Sequence, residues 1–217
     1  TRLAPFASPD HIDPQLQKVL EEAIASLCKW LGEASLRGPL PRLNALPDIA
    51  PSRTGLSIEE LLNDLQLVMD GSYQPSHPGA LAHLDPPPLT ASIISELICA
   101  GLNNNLLAEE LSPSLTRLER QMCRWFAERL GLTPHAGGVV TSGGSLSNLM
   151  ALVIARQHAG LENDSRAVVI ASSDAHVSLI KAVRVMGLTV DALQVVPTDD
   201  YGQISLPHLE EKILSLR

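Results

Sequence analysis

The sequence predicts an α/β fold in which an N-terminal helical layer precedes a parallel-type sheet. Three observations predict it. The first half carries apolar residues at helical spacing. The second half alternates short apolar runs with helical stretches, the order that builds a parallel sheet with right-handed crossovers. Those short runs are continuously apolar, as strands covered on both faces should be.

Taken in order, residues 13–35 set Leu16, Val19, Leu20, Ala23, Ile24, Leu27, Trp30 and Leu31 on a helical stripe. "GPLPRLNALPDIAPS" follows as a Pro-rich spacer. In "SIEELLNDLQLVMD", Ser57 and Glu60 have capping-box spacing, and Ile58, Leu61, Leu62, Leu65, Val68 and Met69 share a face. "SHPGALAHLDPPPLT" breaks all periodicity. A helix is expected from about Thr90 to Leu107. The next begins at Ser112-Pro113, carries Leu115, Leu118, Met122, Trp125, Phe126 and Leu130, and stops at Gly131. Then come a strand in "GGVVTS", a helix over 145–159, a strand in "AVVIAS", a helix over 176–186, a strand in "ALQVVP" and a helix over 205–216. The sheet is still being built at Arg217, so the expectation is a truncated domain, the N-terminal part of a larger protein.

Bulk properties bound the function. With 217 residues, 45% hydrophobic and 18% charged, the chain has material for a sizeable core. A net charge of -8 without any basic run of five or more argues against a nucleic-acid partner. No apolar stretch approaches the roughly 20 residues of a membrane span, and "TRLAPFASPDHIDP" lacks a signal-peptide core. The three cysteines, Cys28, Cys99 and Cys123, form no CxxC pair. They are expected to be small buried hydrophobes in a reducing cytoplasm, neither a disulfide framework nor a zinc site.

In an open parallel sheet, ligands collect beyond the carboxyl ends of strands. Two segments fall there: Thr141 to Ser145, and Ser172 to His176. The first is a small-residue corner opening a helix. It reads either as a tight turn or as a phosphate site. Free N–H groups and the helix dipole favour an anion, Gly143 and Gly144 let it approach, and Ser142 and Ser145 add hydroxyls. The corner is neither a P-loop nor a dinucleotide fingerprint. It nearly matches the hydrolase elbow, but Ser147 stands where glycine is needed. Asp174 and His176 are two residues apart on one turn, which makes a relay between them awkward. His176, opening a helix at a ligand edge, could stack on a flat ring. His77, His83 and Asp85 lie in the aperiodic loop, which reads as functional or as a surface turn. No metal site is expected, because these residues lack helical ligand spacing.

Four stretches in order, "HPGALAHLDPPPL", "LSPSLTRLERQMCRWFAERLGL", "GGVVTSGGSLSNLMALVIAR" and "VVIASSDAHVSLIKAVRVMGL", resemble the group II pyridoxal-phosphate-dependent amino acid decarboxylases. The resemblance covers roughly residues 75–197. It implies the fold type I, aminotransferase-like architecture, with residues 1–88 as the helical segment and substrate-side loop, and 89–217 as the first part of the cofactor-binding domain. It implies pyridoxal 5'-phosphate as cofactor, carbon dioxide release from an L-amino acid, and a cytoplasmic homodimer. Gly144 and Ser145 match phosphate-binding positions, with Gly143 and Asn148 nearby. His176 matches the ring-stacking histidine, and His83, Leu84 and Asp85 match a loop of the substrate pocket. The Pro-rich character of 81–88 looks closer to bacterial diaminobutyrate-type members than to aromatic ones. The family's pyridine-nitrogen aspartate and Schiff-base lysine have no counterpart here. Lys18, Lys29 and Lys212 sit in contexts without a match, and Lys181 lies inside a helix. The piece alone is therefore expected to be inactive. The alternative expectation is a non-catalytic remnant or interaction module that keeps the fold.

Overall fold

In the computed structural model, which describes residues 1–41, 46–47, 50, 53–81 and 84–216, helix α1 spans Pro14–Gly32. It starts there because Asp13 accepts the N–H groups of Gln15 and Leu16 at 2.9 and 3.1 Å, and Pro14 needs no N–H partner. Helix α2 (Ile58–Asp70) has the predicted capping box. The Ser57 N–H donates to Glu60 Oε2 at 2.7 Å, and the Glu60 N–H donates to Ser57 Oγ at 3.2 Å. The two helices pack together. Trp30 is buried, and its carbonyl accepts the Gln74 side-chain amide at 3.1 Å. Arg37 ion-pairs with Glu33 at 3.2 Å and with Asp70.

Helix α3 spans Thr90–Leu102, shorter than its sequence pattern suggests. Asn103 turns left-handed at φ 46°, ψ 37° and donates its N–H to the Cys99 carbonyl. A short polar side chain tolerates that conformation, and it ends a helix. Among the described residues the chain forms two units, Thr1–Asn104 and Asn105–Arg217, and α1 to α3 make up the first.

The second unit opens with helix α4 (Pro113–Arg129). Ser112 takes the N-cap position and is buried, yet its side chain makes no capping bond. Helix α5 (Gly144–His158), strand β1 (Val169–Ser172), helix α6 (Ser178–Val185), strand β2 (Leu193–Val196) and helix α7 (Leu206–Ser215) follow. β1 and β2 are parallel, with Val169 opposite Leu193 and Ser172 opposite Val196. Val183 of α6 and Val196 of β2 are fully buried, and Ala167, Leu188 and Ala192 pack around Val183. This is the α/β class the sequence predicts, and α5 packs on α6.

Two expectations are corrected. "GGVVTS" is not a strand among the described residues. The Val140 N–H instead donates to Glu119 Oε1 of α4 at 2.8 Å. At Gly138 the segment runs so close to α4 that an added Cβ would lie 3.3 Å from the Cys123 Cβ. A strand is defined by a partner backbone, and here a carboxylate takes the place of one. The cysteines also differ: Cys28 and Cys99 are exposed and Cys123 is half-buried. α3 has no buried residue, so the side of α3 that carries Cys99 is open.

Candidate functional site

The corner from Thr141 to Ser147 is built by a backbone only glycine adopts readily. Gly143 sits at φ +156°, ψ 163°, where a side chain is strained. From there α5 begins at Gly144. The Gly143 carbonyl accepts the N–H groups of Leu146 and Ser147 at 3.0 and 3.1 Å. The N–H groups of Gly144 and Ser145 have no partner among the described residues. Two of the four hydroxyls are committed to the turn. Thr141 Oγ1 and Ser147 Oγ lie 2.6 Å apart, and both reach the Gly143 carbonyl, at 3.1 and 3.4 Å. The hydroxyls of Ser142 and Ser145 make no hydrogen bond among the described residues. A Cβ added to Gly143 or Gly144 would meet nothing within 4 Å. The corner thus offers two free amides, two free hydroxyls, open space and the positive end of a 15-residue helix. That donor set fits a phosphate.

The second turn follows β1. Asp174 accepts from Thr198 Oγ1 at 3.2 Å and from Ser173 Oγ at 3.4 Å, and the Ser173 N–H donates to the Val196 carbonyl of β2 at 2.8 Å. This fixes the chain just ahead of His176, an exposed residue. On the other side, the Ser178 N–H lies 3.1 Å and the Ser178 hydroxyl 2.9 Å from His176 Nδ1. Ser178 Oγ also accepts from Asn148 Nδ2 at 2.7 Å. Asn148 is one helical turn along α5 from Gly144. The two turns are therefore joined by a side-chain path from α5 to the ring.

At the other end of the same helix pair, Arg156 of α5 donates to three carbonyls: Leu161 at 2.8 Å, Met186 at 3.0 Å and Asp164 at 3.4 Å. It ties the end of α5 to the end of α6.

Of the residues predicted from sequence, Gly143, Gly144, Ser145, Asn148 and His176 all lie in the second unit, on these two turns and the first turns of α5. His83 falls outside the described residues. Leu84 and Asp85 belong to the first unit and are exposed. Ser178 was not legible as a site residue: a serine two positions after a histidine has no periodic signature. Its signal is burial at a helix start, which sequence does not print. No hydrogen bond among the described residues joins Asp174 to His176 or His176 to Ser145, so a hydrolase triad is not assembled. Among the described residues no group of three or more His, Cys, Asp and Glu could hold a metal, and no helix is long and apolar enough to cross a membrane. A concavity of about 420 Å³ in the first unit, lined by Trp30, Arg37, Asp70 and Gln74, contains none of the predicted residues.

Comparison with known proteins identifies the family and the fold. The pyridoxal-dependent decarboxylase conserved domain matches residues 40–217. L-2,4-diaminobutyrate decarboxylase of Acinetobacter baumannii is 26% identical over 93% of the chain and 44% of its own length. The glutamate decarboxylase domain of a diaminobutyrate-pyruvate transaminase and L-2,4-diaminobutyrate decarboxylase from Vibrio parahaemolyticus superposes with a TM-score of 0.86 at 20% identity, covering 97% of this chain and 50% of that one. The Oryza sativa TDC structure with PLP and tryptamine gives 0.81 at 20% identity, over 97% and 50%. The chain thus spans about half or less of the length of these relatives. The match over residues 40–217 establishes that the chain belongs to the pyridoxal-dependent decarboxylase family, whose cofactor is pyridoxal phosphate.

Proposed function

We propose that the chain supplies the phosphate-binding and ring-stacking part of an amino acid decarboxylase. In this reading it acts on an L-amino acid, in a cytoplasmic homodimer, and does not turn over alone. The observation that carries the proposal is the pair of amides at Gly144 and Ser145, unpartnered among the described residues and tied through Asn148 and Ser178 to His176.

Gly144 and Ser145 would hold the phosphate through their N–H groups, with the Ser142 and Ser145 hydroxyls adding donors and the α5 dipole adding positive potential. His176 would lie against the pyridine ring. When bound, pyridoxal phosphate supplies an electron-accepting ring for the charge left as carbon dioxide departs. In this reading two functions come from outside this chain: a lysine to anchor the cofactor and an aspartate to keep its ring nitrogen protonated. Lys212 contacts Gln194 at 3.3 Å and Lys18 lies 3.8 Å from Glu22. Lys181 lies within α6, five residues past His176, and that placement does not match the anchoring position.

The test has two readouts on the 217-residue chain. Phosphorus NMR of added pyridoxal phosphate should show a perturbed resonance that Gly144→Asp abolishes. Assays of carbon dioxide release from glutamate, 2,4-diaminobutyrate and aromatic amino acids should show no turnover. An unperturbed phosphate would remove the cradle from the proposal, and turnover at a normal rate would refute the claim of inactivity.

A further inference from the structure

Asn148, Ser178 and His176 do more than touch; their donors run in one direction. The Ser178 backbone N–H can only donate, and it lies 3.1 Å from His176 Nδ1. Nδ1 must therefore present its lone pair. The Ser178 hydroxyl, 2.9 Å from the same atom, then has to donate to it as well. With its proton committed, Ser178 Oγ is an acceptor, and at 2.7 Å it takes an N–H of Asn148. That fixes the orientation of the Asn148 amide too. Ser178 is 1% exposed, so water does not offer the hydroxyl another partner. His176 Nε2 has no partner among the described residues.

We infer that Asn148 and Ser178 are positioning residues for His176, holding its neutral ring in the form that carries the proton on Nε2. Asn148 then serves the histidine rather than the phosphate. The ring presents an N–H donor edge at Nε2 while its face is left for stacking. The inference rests on the reading of His176 as a cofactor-site residue for its meaning, but not for its geometry.

The experiment is nitrogen-15 long-range correlation NMR of the chain with labelled histidine, without cofactor, at about pH 8.5, where imidazoles are neutral. The expected wild-type signature is an unprotonated Nδ1 and a protonated Nε2 at His176. Ser178→Ala should shift the ratio of the two forms toward protonated Nδ1 by about threefold to tenfold, the worth of one ordinary hydrogen bond. The backbone N–H remains, so the shift is partial. Asn148→Asp, nearly isosteric, draws the hydroxyl proton to itself and should shift the ratio the same way. It carries the test if the alanine variant does not fold. A protonated Nδ1 in the wild type, or a ratio unmoved by the folded variants, would overturn the inference. Equilibrium dialysis with pyridoxal phosphate separates the two readings. The expected signature in a chain that does not bind the cofactor supports the positioning role and overturns the cofactor reading instead.

Discussion

The two turns that make the candidate site solve opposite problems. The turn from Thr141 to Ser147 closes on itself with two hydroxyls and one carbonyl, and leaves the amides of Gly144 and Ser145 unpaired among the described residues. The turn from Ser172 to Ser178 pairs its polar groups inward, through Asp174 to Thr198 and through His176 to Ser178 and Asn148. One is shaped to receive a group and the other to hold a side chain still. A binding corner can leave donors unsatisfied because it is solvent-exposed, so water serves them until a ligand does. A positioning turn has no such freedom, because an unpaired group beside a buried hydroxyl is costly.

Four perturbations break or sharpen that contrast. Arg156→Met should act on both turns at once, since it frees the shared far end of α5 and α6; a loss of about 3 kcal/mol is expected in urea unfolding, from several charge-assisted bonds. Gly143→Ala should act on the first turn alone. It forces a side chain into strained backbone at a cost of about 2 kcal/mol, and the His176 nitrogen shifts should not move. Thr141→Val removes the 2.6 Å hydroxyl contact with Ser147 and should cost about 1 kcal/mol by the same unfolding measurement. The smallest effect lies in the first unit and serves as a control. The Ser57 backbone N–H, and then its hydroxyl, hold the Glu60 carboxyl below the ordinary carboxylate range. A carboxyl lowered by folding contributes stability above its unfolded value, about pH 4.3, and loses it as pH falls through the folded value. Glu60→Gln should therefore flatten the acid limb of the stability–pH curve while leaving both turns unchanged by NMR.

How much of this was legible in sequence follows from what sequence encodes. The α2 capping box was readable because both of its partners lie three residues apart. The glycine corner was readable as a turn that opens a helix because that geometry depends on local backbone. The first predicted strand failed because pairing is not local: Val139 and Val140 have the right composition, but their backbone meets Glu119 rather than another strand. The α4 stripe was read correctly as a stripe, yet Leu118, Trp125 and Phe126 stay more than half exposed, since periodicity gives a face and not its cover. Ser178 was invisible for a related reason. Its role depends on Asn148, 30 positions away in the chain.

The Arg156 guanidinium has a consequence in time as well as in energy. The carbonyls it binds belong to two different stretches, the turn that holds Leu161 and Asp164 and the end of α6 at Met186. Neither stretch can swing out without the guanidinium letting go of its carbonyls. Amides near the ends of α5 and α6 should then exchange with deuterium as one cooperative unit rather than as two fraying helix ends. Slow breathing of this unit would reach the glycine corner and the histidine turn together, so both would loosen and tighten in phase.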